Sequence, residues 1–166
     1  MIGVRHVVKG TEPVSRAAAL EERLAEWSSR TGVAVEVWAL PGRALPSRVD
    51  GLVHGVIGDV LDEVERQGRA RAVCVALTVG SGGLRLTVSD DGQGTAAETC
   101  EARRAEAARL GGGLSVNAVR GEGTTVSLVL PAGALGWPGP PAGAFSARDR
   151  ASHARARRRP RRSRRS

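Results

Sequence analysis

Residues 84–94 read LRLTVSDDGQG. Leu84, Leu86 and Val88 alternate with Arg85, Thr87 and Ser89, the period of a strand with one buried face, and the alternation runs straight into two aspartates and two glycines spaced one apart. Asp-Gly marks turns in every kind of fold, so the motif alone fits a plain turn between strands as well as the floor of a nucleotide pocket. Its surroundings have to decide.

Working outward, Val73, Val75, Leu77 and Val79 alternate in the same way, and GSGG at 80–83 joins the two runs into a hairpin. Leu52, Val53, Val56, Ile57, Val60, Leu61 and Val64 recur at helical spacing and predict a long helix over 47–68. Before it, Val33, Val35, Val37 and Ala39 alternate with Ala34, Glu36 and Trp38 as a half-buried strand requires, while Ala17, Leu20, Leu24 and Trp27 predict a first helix over 13–30, with Gly32 as its stop. On the other side, an alanine-rich stretch predicts a helix over 96–109 ended by Gly111, Gly112 and Gly113, and residues 114–119 and 125–130 close as a second strand pair. The order is helix, strand, helix, strand, strand, helix, strand, strand.

A chain of 166 residues with 41% hydrophobic content supports one well-buried core, and one domain is expected. Cys74 and Cys100 stand in no ligand-like spacing, so neither a disulfide framework nor a zinc site is expected, and both are read as packing residues in a reducing compartment. No apolar run approaches the roughly 20 residues that cross a bilayer, and MIGVRHVVKG lacks a signal-peptide core. The expected location is cytoplasmic.

The formal net charge of +8 is local: residues 146–166 hold ten arginines and one acid (+9), leaving fifteen Lys or Arg against sixteen Asp or Glu in residues 1–145 (−1). That tail follows the Pro/Gly linker GWPGPPAGAF and has too few apolar residues to fold alone. Arginines there can neutralise the phosphates of nucleic acid or anionic lipid. With aromatics at 2% and no tyrosine, however, the chain offers no stacking platform for specific recognition of single strands. Residues 13–131 are read as the folded domain and 132–166 as a disordered tail.

The element order, taken with LAEWSSRTGVAVEVWALP at 24–41, the long helix, LRLTVSDDGQG and LGGGLSVNAVRGEGTTVSLVLP at 110–131, resembles the ATP-binding domain of bacterial sensor histidine kinases, the GHKL or Bergerat fold, and in particular the kinases paired with LuxR-type response regulators. The resemblance covers roughly residues 3–131. It implies an α+β two-layer sandwich, a mixed sheet backed by about three helices, and residues 1–12 as a remnant of the family's preceding helical hairpin or a linker. In that family's DxGxG loop, matched by Asp90, Gly92 and Gly94, the aspartate accepts a hydrogen bond from the adenine amino group and the glycines let backbone lie against the base. Gly121, Gly123 and Thr124 match the last glycine box, whose threonine lies near the adenine.

The phosphate end departs from the pattern. The family's long helix carries Glu, Asn and His four residues apart, with the Asn holding magnesium; Asp59, Glu63 and Gln67 stand at those places. Asp59, as the candidate catalytic residue, withdraws its carboxylate by one methylene. Glu63, as the candidate metal ligand, brings a longer and charged side chain to an ion with a strict octahedral shell. Asp59, Asp62 and Glu63 also gather three negative charges where a polyphosphate would rest, each close pair costing about 4 kcal/mol at 4 Å and an effective dielectric near 20. The plain alternative is a solvated acidic helix face. TAAETCEARRAEAARLGGG at 95–113 has no glycine between Gly94 and Gly111 to form the family's phosphate lid; Arg103 or Arg104 could contact phosphate, but arginines on an exposed helix usually face solvent, and both are read so.

The expectation is therefore a histidine-kinase-like domain with weak or absent binding of ATP or ADP, little use of magnesium and no autophosphorylation, working with a histidine kinase or response regulator partner. None of His6, His54 and His153 stands in the pattern of a phosphoacceptor. Two other readings remain open on the sequence: an active stand-alone kinase acting on a partner's histidine, or on serine in the manner of anti-sigma factors, and a nucleic-acid-associated protein acting through residues 146–166.

Overall fold

A computed structural model describes residues 5–6, 16–94 and 100–136. The elements are β1 (Arg5–His6), α1 (Arg16–Thr31), β2 (Ala34–Ala39), α2 (Ser47–Gln67), β3 (Ala72–Gly80), β4 (Gly83–Asp90), α3 (Glu101–Arg109), β5 (Gly113–Val119) and β6 (Gly123–Pro131), followed by a 3-10 turn at Ala132–Leu135. They form the expected α+β sandwich, three helices on a mixed sheet of order β1-β2-β3-β4-β6-β5. β1, β2 and β3 run parallel, and the β3–β4, β4–β6 and β5–β6 pairs are antiparallel. The parallel step from β2 to β3 requires a crossover, and α2 supplies it.

Strand alternation builds one wall of the core. Val35 and Val37 of β2, Val73, Val75 and Leu77 of β3, Leu84, Leu86 and Val88 of β4, and Val126, Leu128 and Leu130 of β6 are all buried. Their neighbours point to the other face, which is polar or small-residue apart from Trp38, Val119 and Val129, which are 58%, 41% and 41% exposed. The second wall is α2, whose Val49, Leu52, Val53, Val56, Ile57, Val60, Leu61 and Val64 are buried along one stripe. At roughly 1.5 to 3 kcal/mol per fully buried aliphatic side chain, that stripe is the largest single contribution of any element to the fold. Gly68 ends α2 at φ +62, its N–H returning to Val64 O at 3.0 Å.

Two helical glycines serve the packing of α2 rather than its propensity. A Cβ on Gly58 would stand 3.0 Å from Nη2 of Arg23 on α1, and one on Gly55 would stand 2.6 Å from Cζ of Arg103 on α3. Each flanking helix thus rests an arginine on bare α2 backbone. Glycine there costs roughly 1 kcal/mol against alanine, offset by the close approach.

Differences from the expected elements sit at the edges. Arg5–His6, within the segment read as a hairpin remnant or linker, form a short strand beside β2. Past Pro131, where the sequence puts the end of the domain, the 3-10 turn adds buried Ala132 and Leu135. The arginine-rich segment and His153 lie outside the described residues.

Candidate functional site

Asp90 is the last residue of β4, and the sheet register sets it opposite Thr124 near the start of β6. Its Oδ1 accepts the Gly92 N–H at 2.8 Å, closing the turn that the sequence DDG requires. Burial raises the Asp90 pKa above the ordinary value, the backbone N–H groups of Gly92 and Thr124 pull it down, and the charges of Asp91 and Glu63 push it up again. The outcome is a half-buried carboxylate with acceptor capacity left over. Thr124 is 4% exposed, and its Oγ1 is buried with no hydrogen-bond partner. Such an orphan costs about 1 to 3 kcal/mol, and buried polar groups are seldom left unpaired without a reason.

The glycines lock the two loops together. Gly94 has φ +65, and a Cβ there would fall 2.1 Å from Val119 O; Gly123 has φ +106, and a Cβ there would fall 1.9 Å from Asp90 O. No other residue type fits either position. Gly121 N–H donates to Gln93 O at 3.1 Å, so the 90–94 loop and the 119–124 turn lie face to face. The structure thereby brings Asp90, Gly92, Gly94, Gly121, Gly123 and Thr124 into one patch. Asp91, which the sequence leaves without a role, accepts the N–H groups of Arg71 (2.7 Å) and Ala72 (2.9 Å) through Oδ1 and fixes the loop to the start of β3.

α2 runs past this patch. Gln67 reaches it: a Cβ on Gly92 would lie 3.6 Å from Gln67 Oε1. Glu63 and Asp59 follow one and two turns back along the same row. Neither is part of a freely solvated acidic face. Glu63 is 15% exposed and accepts Arg66 Nε at 2.9 Å, Arg66 Nη2 at 2.5 Å and Gln67 Nε2 at 2.5 Å. The Arg66 contact leads in holding its pKa below the ordinary carboxylate value. Asp59, 32% exposed, accepts Arg103 Nε at 3.2 Å. The repulsion among three carboxylates expected from the sequence is therefore offset within the protein, by Arg66 at one member and by Arg103 at another.

Arg103 is the correction to the reading of α3. Instead of facing solvent, its guanidinium lies on α2 over Gly55, between Asp59 at 3.2 Å and Glu106 at 3.6 Å. The available signal was Gly55 itself, a glycine inside a strongly periodic helix and four residues before Asp59. Arg104, its neighbour, donates to Leu114 O at 3.3 Å and pairs with Glu101 at 2.6 Å. Cys100, which precedes α3, is 5% exposed and stands at φ +68, the only non-glycine at positive φ among the described residues.

A half-buried acceptor beside an orphaned buried hydroxyl suits the edge of a flat heterocycle with its own donors and acceptors. Magnesium is held through one or two protein oxygens together with waters and phosphates, and the two carboxylates at those places each carry partners within the protein: Arg66 and Gln67 on Glu63, Arg103 on Asp59. A cleft of about 530 Å³, lined by Pro46, Ser47, Arg48, Arg109, Pro131 and Ala134 among others, opens at the opposite end of α2 and takes in none of the residues above.

In class, the fold is that of histidine-kinase ATP-binding domains, and the resemblance read from the sequence is borne out. The chain is similar to the sensor histidine kinase LiaS of Bacillus subtilis, 27% identical over 119 residues, which span 68% of this chain and 33% of LiaS. The chain thus spans about a third of the length of that curated relative. Among solved structures it is similar to the histidine kinase domain of the blue-light activated histidine kinase of Erythrobacter litoralis EL346, with TM-score 0.56, 25% identity and coverage of 76% of this chain and 65% of that one. The ATP-binding domain of PrrB from Mycobacterium tuberculosis shares the fold at TM-score 0.50 and 20% identity, over 70% of this chain and 94% of its own. No family model matches the chain. No helix among the described residues is long and apolar enough to cross a membrane.

Proposed function

We propose that this chain is an adenine-nucleotide-binding domain of the histidine-kinase type in which the base is held and the metal is not, and that it acts by contact with a two-component partner rather than by phosphorylating itself. The observation that carries the reading is Thr124 Oγ1, buried and unpaired across the sheet from the half-buried Asp90. A base edge presented to that pair would use the free acceptor capacity of Asp90 and give the hydroxyl its missing partner. Gly94 and Gly123 let the 90–94 loop and the 119–124 turn lie backbone to backbone, which holds Asp90 and Thr124 side by side.

The commitments of Glu63 and Asp59 support a weak dependence on magnesium. They also count against a stand-alone kinase, since neither carboxylate is free to take a metal or position a water. His54, on α2, sits 3.8 Å from Asp50, and His6 lies within β1 at the sheet edge. Neither sits on a helical hairpin of the kind that presents a phosphoacceptor.

The test is a calorimetric titration of the full chain with ADP and ATP, in magnesium and in EDTA. Binding is expected at tens to hundreds of micromolar, about −5 to −6 kcal/mol, and within about threefold with and without the metal. Asp90→Asn should abolish it, because the amide can turn a donor toward the base's own amino group. Low-micromolar ATP binding that appears only with magnesium would overturn the reading, and so would unchanged affinity in Asp90→Asn.

A further inference from the structure

We propose that Arg103 takes the place of the metal as the phosphate-recognising group of this cleft, so that its ligand is an adenosine mono- or diphosphate bound without magnesium. The inference rests on the adenine-binding reading of Asp90 and Thr124 and adds what recognises the other end of the ligand.

Position comes first. Gly55, Asp59, Glu63 and Gln67 follow one another at four-residue steps along α2. The Gln67 end touches the Gly92 turn beside Asp90, and the Asp59 end carries the Arg103 guanidinium. From Gln67 to Asp59 is eight residues, about 12 Å of helix. That is the span over which an adenosine laid along α2 from Asp90 would deliver its first phosphates.

The seat for the guanidinium is built. Its approach to α2 depends on the missing side chain at Gly55, where a Cβ would fall 2.6 Å from Cζ and 2.7 Å from Nε. Asp59 and Glu106 hold the group from two sides at 3.2 and 3.6 Å. A guanidinium carries five donors in a fixed plane, more than those two contacts use, and its plane matches two phosphate oxygens. Asp59, read from sequence as a candidate catalytic carboxylate, becomes the positioning residue for a cation. One charge shared with two carboxylates limits the gain. A preference of about tenfold for a phosphorylated ligand is what such a partly neutralised arginine supports, against the larger factors of an unshared charge.

The measurement is the affinity of adenosine, AMP and ADP for the full chain in EDTA, followed by the same series in magnesium. The wild-type protein should bind AMP and ADP about tenfold tighter than adenosine, with magnesium changing neither ratio. Arg103→Gln should bring all three ligands to the adenosine value while leaving adenosine itself within about twofold. Arg103→Lys keeps the charge but not the fork and should fall between. Gly55→Ala keeps every charge but displaces the guanidinium, and it should lower the phosphate preference as Arg103→Gln does. Melting curves check that each variant is folded, and if Arg103→Gln is not, the lysine variant and Gly55→Ala decide. Equal affinity for adenosine and ADP in the wild type, a preference that survives Arg103→Gln, or ADP binding that requires magnesium overturns the proposal while adenosine binding leaves the base site standing. Absence of binding by all three ligands overturns the base site and this inference together.

Discussion

Thr124 and Gly123 are adjacent in sequence and place opposite demands on a substitution. Gly123 sits at φ +106 with Asp90 O where its Cβ would go, so Gly123→Ala must move the β4 terminus and should destabilise the domain by about 3 kcal/mol or more, in the range of other substitutions at special backbone angles. Thr124 is the reverse case. Its hydroxyl is buried without a partner, and Thr124→Val replaces it with a methyl of nearly the same shape. Removing an unsatisfied buried donor should stabilise the unliganded protein by about 1 kcal/mol, a rise of a few degrees in Tm. If the hydroxyl is kept for a ligand, the same change should weaken adenosine binding several-fold, so that stability and binding move in opposite directions. A thermal melt and a titration on one preparation check both. A Thr124→Val protein less stable than the wild type would mean that the hydroxyl has a partner in the unliganded state after all. The tight turn through Gly121 and Gly123 was legible in RGEGTT, because glycine spacing maps directly onto positive backbone angles. The orphaned hydroxyl was not legible, since pairing depends on a neighbour from another strand.

α2 was readable almost to its ends, over 47–68 expected against Ser47–Gln67 found, because its eight buried residues hold one period throughout. α3 was not. Among the described residues only Ala107 of that helix is buried, so its hydrophobic pattern carries little information, and what fixes it to the domain is polar: Arg103 on α2 and Arg104 on Leu114 O. The exception is the residue before it. Cys100 is buried and left-handed, a conformation that costs roughly 1 to 2 kcal/mol in a residue with a Cβ. The thiol plugged into the core therefore offsets the backbone strain that starts the helix. Burial leads in pushing the Cys100 pKa up to about 12, with the Asp59 charge adding to it. At pH 8 that leaves a thiolate fraction of about one in ten thousand, and the thiolate is the reactive form. Cys74 lies half-buried near Glu36 on the open face of the sheet, its pKa raised chiefly by burial. Native-state labelling with a thiol reagent, read by mass spectrometry, should modify Cys74 first and Cys100 far more slowly, the two converging in denaturant. Cys100 reacting as fast as Cys74 in the native protein would show that the start of α3 opens without unfolding the sheet.

Architecture was the most legible level, since alternating periods of 2 and 3.6 leave few ways to lay three helices on one mixed sheet, and the crossover from β2 to β3 follows from the parallel pairing. Charge was the least legible, because the formal total of +8 describes neither part of the chain: residues 146–166 carry +9 and residues 1–145 carry −1. Apart from four alanines and Pro160, those last 21 residues include no apolar residue, so they have little with which to fill a core. Within the described residues the core closes on Leu135 of the 3-10 turn, and the cations that the candidate site uses, Arg66 and Arg103, come from α2 and α3. Deleting residues 146–166 should consequently leave Tm within about 1 °C and ADP affinity within about twofold, because a segment of that composition has little apolar surface to contribute to a core and the described core closes without it. The same deletion should abolish retention on a polyanion such as heparin or duplex DNA at low salt, since retention of that kind scales with the number of cations facing the phosphates or sulfates, and the remaining chain has none in excess. A Tm lowered by more than about 5 °C, or ADP affinity lost with the tail, would place the arginines on the folded domain and make the acidic residues along α2, Asp62 first, their point of contact.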